Sequence, residues 1–147
     1  MSDAKSNLTE AAKSPLSEGL RDAVLLIEDN EILANLLTIL MRGLRLRVFW
    51  AADGATARRL FGLHQNELKL VLADCRLPDM DGRDVCLKMR SVLPELPVLI
   101  MSGSVSGRGV APLPRNRLVE FLSKPYAPSD VLARVRKLLN ETNRDAA

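Results

Sequence analysis

Glu28, Asp29, Asp74, Ser102 and Lys124 each stand where an aliphatic run gives way to polar residues. Asp74 closes Leu70-Val71-Leu72-Ala73, and Cys75-Arg76-Leu77-Pro78-Asp79-Met80-Asp81-Gly82 follows, rich in turn and helix-start residues. Glu28-Asp29-Asn30 ends Ala23-Val24-Leu25-Leu26-Ile27 in the same way, Ser102-Gly103 ends Val98-Leu99-Ile100-Met101, and Lys124-Pro125 follows Leu118 to Ser123. Three carboxylates gathered together repel one another, so they must take up protons or hold a cation. An all-oxygen ligand set with open water positions suits Mg²⁺, which reaches for phosphate oxygens. Lys124 adds a mobile positive charge and Ser102 a hydroxyl donor. A carboxylate nucleophile, a divalent ion, an amine and a hydroxyl are the parts needed to accept a phosphoryl group. Each part alone has a plainer account: acids after a strand cap helices, Lys-Pro marks a turn, and Ser-Gly fits a loop. Their recurrence at successive strand ends carries the functional reading.

The elements that must position these residues are legible from periodicity. Residues 23–27, 70–73 and 98–101 are continuously apolar, the pattern of strands covered on both faces. Leu44 to Ala51 alternates, with Leu46, Val48 and Trp50 on one face and Arg45, Arg47 and Phe49 on the other. Leu118 to Leu122 alternates around Glu120. Helical spacing follows an Asn30 cap through Ile32, Leu33, Leu36, Leu37 and Leu40 to Gly43. Further helices are expected from Asp53-Gly54 to about His64, from about Gly82 to Val92, and from a Ser129 cap through Leu139. Strand and helix alternate, which predicts a parallel sheet with right-handed crossovers and helices on both faces. The apolar strands belong in the centre and the alternating ones at the edges, an arrangement that the order 2-1-3-4-5 satisfies. Ligands of such sheets sit at the carboxyl ends of the strands, where the five polar residues fall.

The 147 residues suit one domain of ordinary size. With 47% hydrophobic residues but 3% aromatic, the core must be aliphatic and needs no staples. Cys75 and Cys86 fall in core segments and read as reduced packing residues of a cytosolic protein. The apolar runs are too short for a membrane span, and Met1 to Glu10 lacks a secretory segment. The net charge of +3 is slight and does not by itself argue for nucleic-acid binding, because the arginines are dispersed.

Over residues 22–140 the sequence resembles the receiver domain of two-component response regulators. The resemblance rests on Leu26-Ile27-Glu28-Asp29-Asn30, on Asp74 with Leu77-Pro78-Asp79-Met80-Asp81-Gly82, on Leu96 to Gly103, and on Phe121-Leu122-Ser123-Lys124-Pro125. It implies a flavodoxin-like (βα)5 doubly wound sheet in the order 2-1-3-4-5. It also implies that Asp74 is the phosphoacceptor and that Mg²⁺ is held by Glu28, Asp29, Asp74 and the backbone carbonyl of Arg76. Ser102 would be the switch hydroxyl, Phe121 the aromatic that turns inward on activation, and Lys124 the phosphate partner. Lys124-Pro125 is expected to be cis, as in relatives.

Three departures from the family pattern stand out. Glu28 replaces the usual aspartate and lengthens the reach. Arg76 places a guanidinium at the pocket mouth, where it is expected to lengthen the life of the acyl phosphate. Gly107, Gly109, Pro112 and Pro114 disfavour a helix between Ser104 and Arg117, so the fourth helix is expected to be shortened or missing.

The expected organisation is a flexible tail over 1–21, a receiver domain over 22–140 and a C-terminal tail over 141–147, with too few residues after Asn140 for a DNA-binding domain. The expected partners are a sensor histidine kinase or histidine phosphotransfer protein and a possible downstream protein, the chain being a monomer or weak dimer. It is expected to be a phosphoacceptor that assists its own phosphorylation and dephosphorylation rather than an enzyme. A haloacid-dehalogenase-like hydrolase would carry a second aspartate where Arg76 stands. A phosphorylation-independent scaffold would not need the complete set of polar residues. His64, alone near a helix end, reads as a surface residue.

Overall fold

The computed structural model describes residues 22–103 and 117–146. Five parallel strands run β1 (Ala23–Ile27), β2 (Arg47–Ala51), β3 (Leu68–Asp74), β4 (Val98–Ser102) and β5 (Val119–Ser123), ordered β2-β1-β3-β4-β5. The described helices are α1 (Glu31–Gly43), α2 (Gly54–His64), α3 (Gly82–Val92) and α4 (Pro128–Ala146). The fold is the flavodoxin-like sheet that the resemblance implies, with the strand order that the alternation of periods satisfies. The expected shortening or loss of a helix falls on residues 104–116, and the N-terminal tail on 1–21; both lie outside the described residues.

Strand geometry divides the core into two layers, because successive side chains point to opposite faces. Leu25, Ile27, Val71, Ala73, Val98 and Ile100 face α2 and α3, whose Ala57, Phe61, Val85, Cys86 and Met89 close over them. Val24, Leu26, Leu70, Leu72, Leu99 and Met101 face the other way, onto Ala34, Leu37 and Met41 of α1 and Val131, Val135 and Leu138 of α4. A register irregularity opposite Ala23 and Val24 turns Leu68 onto the same face as Val71, which strict alternation would forbid. Burial of each large aliphatic side chain contributes about 1.5–3 kcal/mol. Continuous apolar strands are therefore stable only with helices on both sides.

The helix starts are chemically explicit. Asn30 accepts from the Leu33 N–H at 3.1 Å, Asp53 from the Thr56 N–H at 2.7 Å, and Asp81 from the Arg83 N–H at 2.8 Å. At α4 the expected Ser129 cap is corrected. Pro128 is the first helical residue, and the Asp130 carboxylate reaches back to the Ala127 N–H at 2.8 Å. Proline suits that position because its missing N–H would find no partner in the first turn anyway. This helix also runs to Ala146, past the Asn140 limit read from the sequence, with the Thr142 hydroxyl on the Leu138 carbonyl. The start of β2 is likewise later than the alternation suggests. Arg45 has a φ of 64°, so the chain turns there before Arg47 can pair beside Ala23.

Gly82 occupies a position no other residue fits without backbone movement. A Cβ there would lie 1.9 Å from the Asp74 carbonyl oxygen, whereas one on Gly62, exposed on α2, meets nothing within 4 Å. Gly82→Ala is expected to destabilise by about 1–3 kcal/mol, the cost of overpacking. Gly62→Ala should stabilise by up to about 1 kcal/mol through helix propensity. Midpoints of urea denaturation of the two variants check both signs.

Candidate functional site

Four strand ends converge on one rim because parallel strands all finish on the same side. Asp74 pairs in register with Met101, so Ser102 lies one residue further along the adjacent strand. The Lys124 N–H donates to the Ser102 carbonyl at 2.7 Å, and the Lys124–Pro125 peptide is cis, as the resemblance implies. On the other side, the Glu28 N–H donates to the Ala51 carbonyl at 3.0 Å, extending β1 into the rim.

Ligand atoms of Glu28, Asp29 and Asp74 lie within 4.8 Å of one another. Glu28 is fully buried and Asp74 nearly so, while Asp29 is exposed. Glu28 Oε2 accepts from the Asn30 N–H at 3.0 Å, but its Oε1 is buried with no hydrogen-bond partner among the described residues. Burial pushes the Glu28 carboxyl up to about 7. The negative charge of Asp74 and a side-chain hydrogen bond with Asp29 add to that, and the Asn30 N–H and Lys124 oppose it. An orphaned carboxylate oxygen within a cluster of three acids fits a hard divalent cation.

Asp74 Oδ2 meets the Lys124 ammonium at 3.3 Å, and Asp74 Oδ1 accepts from the Arg76 N–H at 3.2 Å. Lys124 and the Asp74 carboxylate, fifty positions apart in the chain, are thus in contact. Ser102 is brought to the same rim, where its hydroxyl hydrogen-bonds the Cys75 thiol. Burial raises the Cys75 pKa, with that hydrogen bond acting in the opposite direction. Phe121 is 44% exposed and alternates with Leu122, so it points away from the layer that α1 and α4 cover. Arg76 is exposed, and its backbone bridges to Asp81 across the loop that follows β3.

The sequence reading missed several residues around this rim. The Trp50 indole N–H donates to the Glu28 carbonyl oxygen at 2.7 Å and pins the first acid from the edge strand. Only the alternation of β2 hinted that Trp50 shares a face with α1. Tyr126 places a buried hydroxyl near the acids. Its pKa is pushed up to about 12 by burial, then by the charges of Glu28 and Asp74. Cys75, read as packing alone, also touches Ser102. His64 is more than a loose surface residue: its ring stacks on Phe49 at 3.9 Å, and its Nδ1 lies 2.8 Å from Glu67.

The response regulator receiver domain model matches residues 24–136. The chain belongs to this family. It is a receiver domain of two-component response regulators, a signalling module rather than a conventional enzyme. It is 31% identical over 128 residues to the probable transcriptional regulatory protein TcrX of Mycobacterium tuberculosis, covering 86% of this chain and 53% of that protein. The chain spans about half the length of the curated relatives it matches. Among solved structures, the receiver domain from the hybrid histidine kinase CckA is 28% identical with a TM-score of 0.62, covering 80% of this chain and 98% of that one. The CheX–CheY–BeF3–Mg complex of Borrelia burgdorferi contains a chain with the same fold, 21% identical with a TM-score of 0.67, covering 80% of this receiver and 88% of that chain. No described helix of this receiver is long and apolar enough to cross a membrane.

The Glu28 environment sets a pH dependence for the metal-free receiver. Between about pH 4.5, where an ordinary glutamate ionises, and about 7, the folded state holds a proton that the unfolded chain has released. Stability should therefore fall as pH rises through that window, by at most about 3 kcal/mol from this group. Glu28→Gln should remove that part of the slope, read from denaturation midpoints in chelator.

Proposed function

We propose that Asp74 accepts a phosphoryl group from a phosphohistidine on a sensor kinase or phosphotransfer protein. The observation that carries this reading is the Asp74 carboxylate, held between the Lys124 ammonium at 3.3 Å and the two other acids of its cluster, Glu28 and Asp29. A carboxylate oxygen of Asp74 forms the new P–O bond as the P–N bond to the imidazole breaks, and the ring leaves with the electron pair. Lys124 and the Ser102 hydroxyl lie on the side of Asp74 where they can hold the incoming phosphoryl oxygens. Glu28, Asp29, Asp74 and the Arg76 carbonyl would hold Mg²⁺, the ion present in the Borrelia complex. A bound Mg²⁺ supplies positive charge shared between the acids and the phosphoryl oxygens.

Once Asp74 carries the group, recruitment of Ser102 and Lys124 shifts the population of the β4 end, and the exposed Phe121 follows inward. The pocket thus assists its own phosphorylation and dephosphorylation without turning over a separate substrate. The receiver acts in the cytoplasm, as a monomer or weak dimer without direct contact to nucleic acid, and passes its state to a downstream protein. A hydrolase reading has no support at position 76, where an exposed arginine stands in place of a second acid.

The phosphodonor has an apolar face to meet beside Asp74. Leu33, Leu36, Leu37, Leu40, Pro125 and Tyr126 line a groove of about 220 Å³ that Lys124 also borders. Ile32, one turn above Leu36 on α1, is 83% exposed. An amphipathic helix carrying a phosphohistidine fits such a groove.

Incubation with a small acyl-phosphate donor and Mg²⁺ should add one phosphoryl group by intact mass. Asp74→Asn and excess chelator should each abolish it, and phosphorylation that persists in either would refute the assignment. Ile32→Asp should slow transfer from the phosphohistidine donor roughly tenfold, the equivalent of about 1.4 kcal/mol of lost contact. The rate with the small donor should be unchanged. Equal slowing with both donors would place Ile32 in the pocket's chemistry instead.

A further inference from the structure

The acidic site is built from two halves on different loops. Glu28 and Asp29 follow β1 and are tied to the edge strand, through the Ala51 carbonyl and the Trp50 indole. Asp74 and Arg76 belong to β3 and the loop after it. That loop is closed on itself by the Gly82 N–H on the Cys75 carbonyl at 2.8 Å, the Leu77 N–H on the Met80 carbonyl at 3.3 Å, and the bridge between Arg76 and Asp81. These bonds join the two arms of the loop to each other. They do not set where its tip lies relative to the Glu28 half.

Asp79, at the tip, makes that connection. Its Oδ1 accepts from the Gly54 N–H at 2.8 Å and its Oδ2 from the Ala55 N–H at 3.0 Å, so both oxygens grip the first turn of α2. Next to it the Met80 side chain fills the space over Gly54, where an added Cβ would lie 2.3 Å from its sulfur. Gly54 is three residues from Ala51, which holds Glu28. The path from one half of the site to the other is therefore short: Glu28, Ala51, the start of α2, Asp79, then the loop that carries Arg76. Asp53 already caps α2 through the Thr56 N–H at 2.7 Å, so the helix has its own cap and Asp79 satisfies two further N–H groups. A carboxylate on the first turn also gains from the helix dipole, which strengthens the grip without a second cation.

Pairing of β1 with β3, Ile27 beside Ala73, already sets Glu28 against Asp74; we propose that Asp79 is a positioning residue that fixes the loop presenting the Arg76 carbonyl against the Glu28 frame, and with it the affinity for Mg²⁺. The proposal rests on the reading that Glu28, Asp29, Asp74 and the Arg76 carbonyl are the metal ligands. Asp79 touches neither the ion nor the phosphoryl group. It acts by holding the loop that presents the Arg76 carbonyl against the frame that presents Glu28. Gly54 leaves room for Met80 and so permits the approach.

The test is Mg²⁺ titration of the full chain, followed by emission of Trp50, the chain's one tryptophan, and independently by calorimetry. Asp79→Ala should weaken Mg²⁺ binding roughly tenfold, the lower end of the loss seen when an outer partner of a metal ligand is removed. Asp79→Asn, which keeps one acceptor oxygen, should fall between Asp79→Ala and wild type. Phosphorylation of Asp79→Ala by a small acyl phosphate should need more Mg²⁺ to reach half its maximal rate, with the rate at saturating Mg²⁺ within about twofold of wild type, since a lost positioning contact need not alter the reacting groups. Asp53→Ala removes a cap from the same helix without touching the loop, and its Mg²⁺ affinity should match wild type. Unchanged affinity in Asp79→Ala, with wild type binding Mg²⁺ normally, overturns the clamp and leaves the metal reading intact. An equal loss in Asp53→Ala also overturns it, because the effect would then belong to the stability of α2. A wild-type chain that binds no Mg²⁺ overturns the metal reading itself.

Discussion

Like charge held together at the sheet rim is the constraint on which the structure of the site depends. Three acids share a space within 4.8 Å, one of them wholly buried, and Lys124 is the cation in contact with Asp74. Ionised carboxylates cannot leave water in that way without a proton, a hydrogen bond or a positive ion. The sheet forces the arrangement because its strands are buried on both faces and end together. The residues around the rim moderate the cost: the Asn30 N–H on Glu28, the Arg76 N–H and Lys124 on Asp74. Glu28 Oε1 has no hydrogen-bond partner among the described residues, which fits a cation at this rim.

A longer acid at the first position changes how that oxygen is placed. Glutamate extends the carboxylate one methylene beyond aspartate, and the chain fixes its backbone from two directions, through the Ala51 carbonyl and the Trp50 indole. A flexible side chain on a fixed backbone has fewer ways to leave the pocket. Tyr126 adds an apolar ring against the core beneath α1 and α4, and its buried hydroxyl lies close enough to sense Glu28 and Asp74. Low dielectric around the rim strengthens every charge interaction there, attractive or repulsive. The neighbours of the site are thus part of its electrostatics.

The two faces of β5 are held differently. On one face Glu120 is paired with Arg134 at 3.0 Å and Lys137 at 3.3 Å, which fastens the strand to α4. On the other, Phe121 is exposed. Exposed ion pairs contribute little individually, but here two cations converge on one mostly buried carboxylate, so the α4 side is the firmer anchor. On that second face Val119 packs into the layer under α2 and α3, so among the described residues the exposure is confined to Phe121 at the end of the strand.

The amino-acid order by itself determined the strand count, the edge and centre assignments and the identity of the acids, lysine and serine at the strand ends. It could do so because those features are written in local periods: two for edge strands, unbroken apolar runs for central ones, and 3.6 for helices. The rim residues were legible because each interrupts an apolar run. Contacts between distant segments were not legible. Asp79 looks like any turn aspartate until folding sets it on the N–H groups of Gly54 and Ala55. Trp50 and Tyr126 look like packing residues until the crossovers bring them beside Glu28. The Ser129 cap lost to Pro128 and Asp130, because a reciprocal side-chain bond and a prolyl ring outweigh a single hydroxyl preference. Tertiary structure alone decided these, since their energy depends on which surfaces meet and not on which residues are neighbours in the chain.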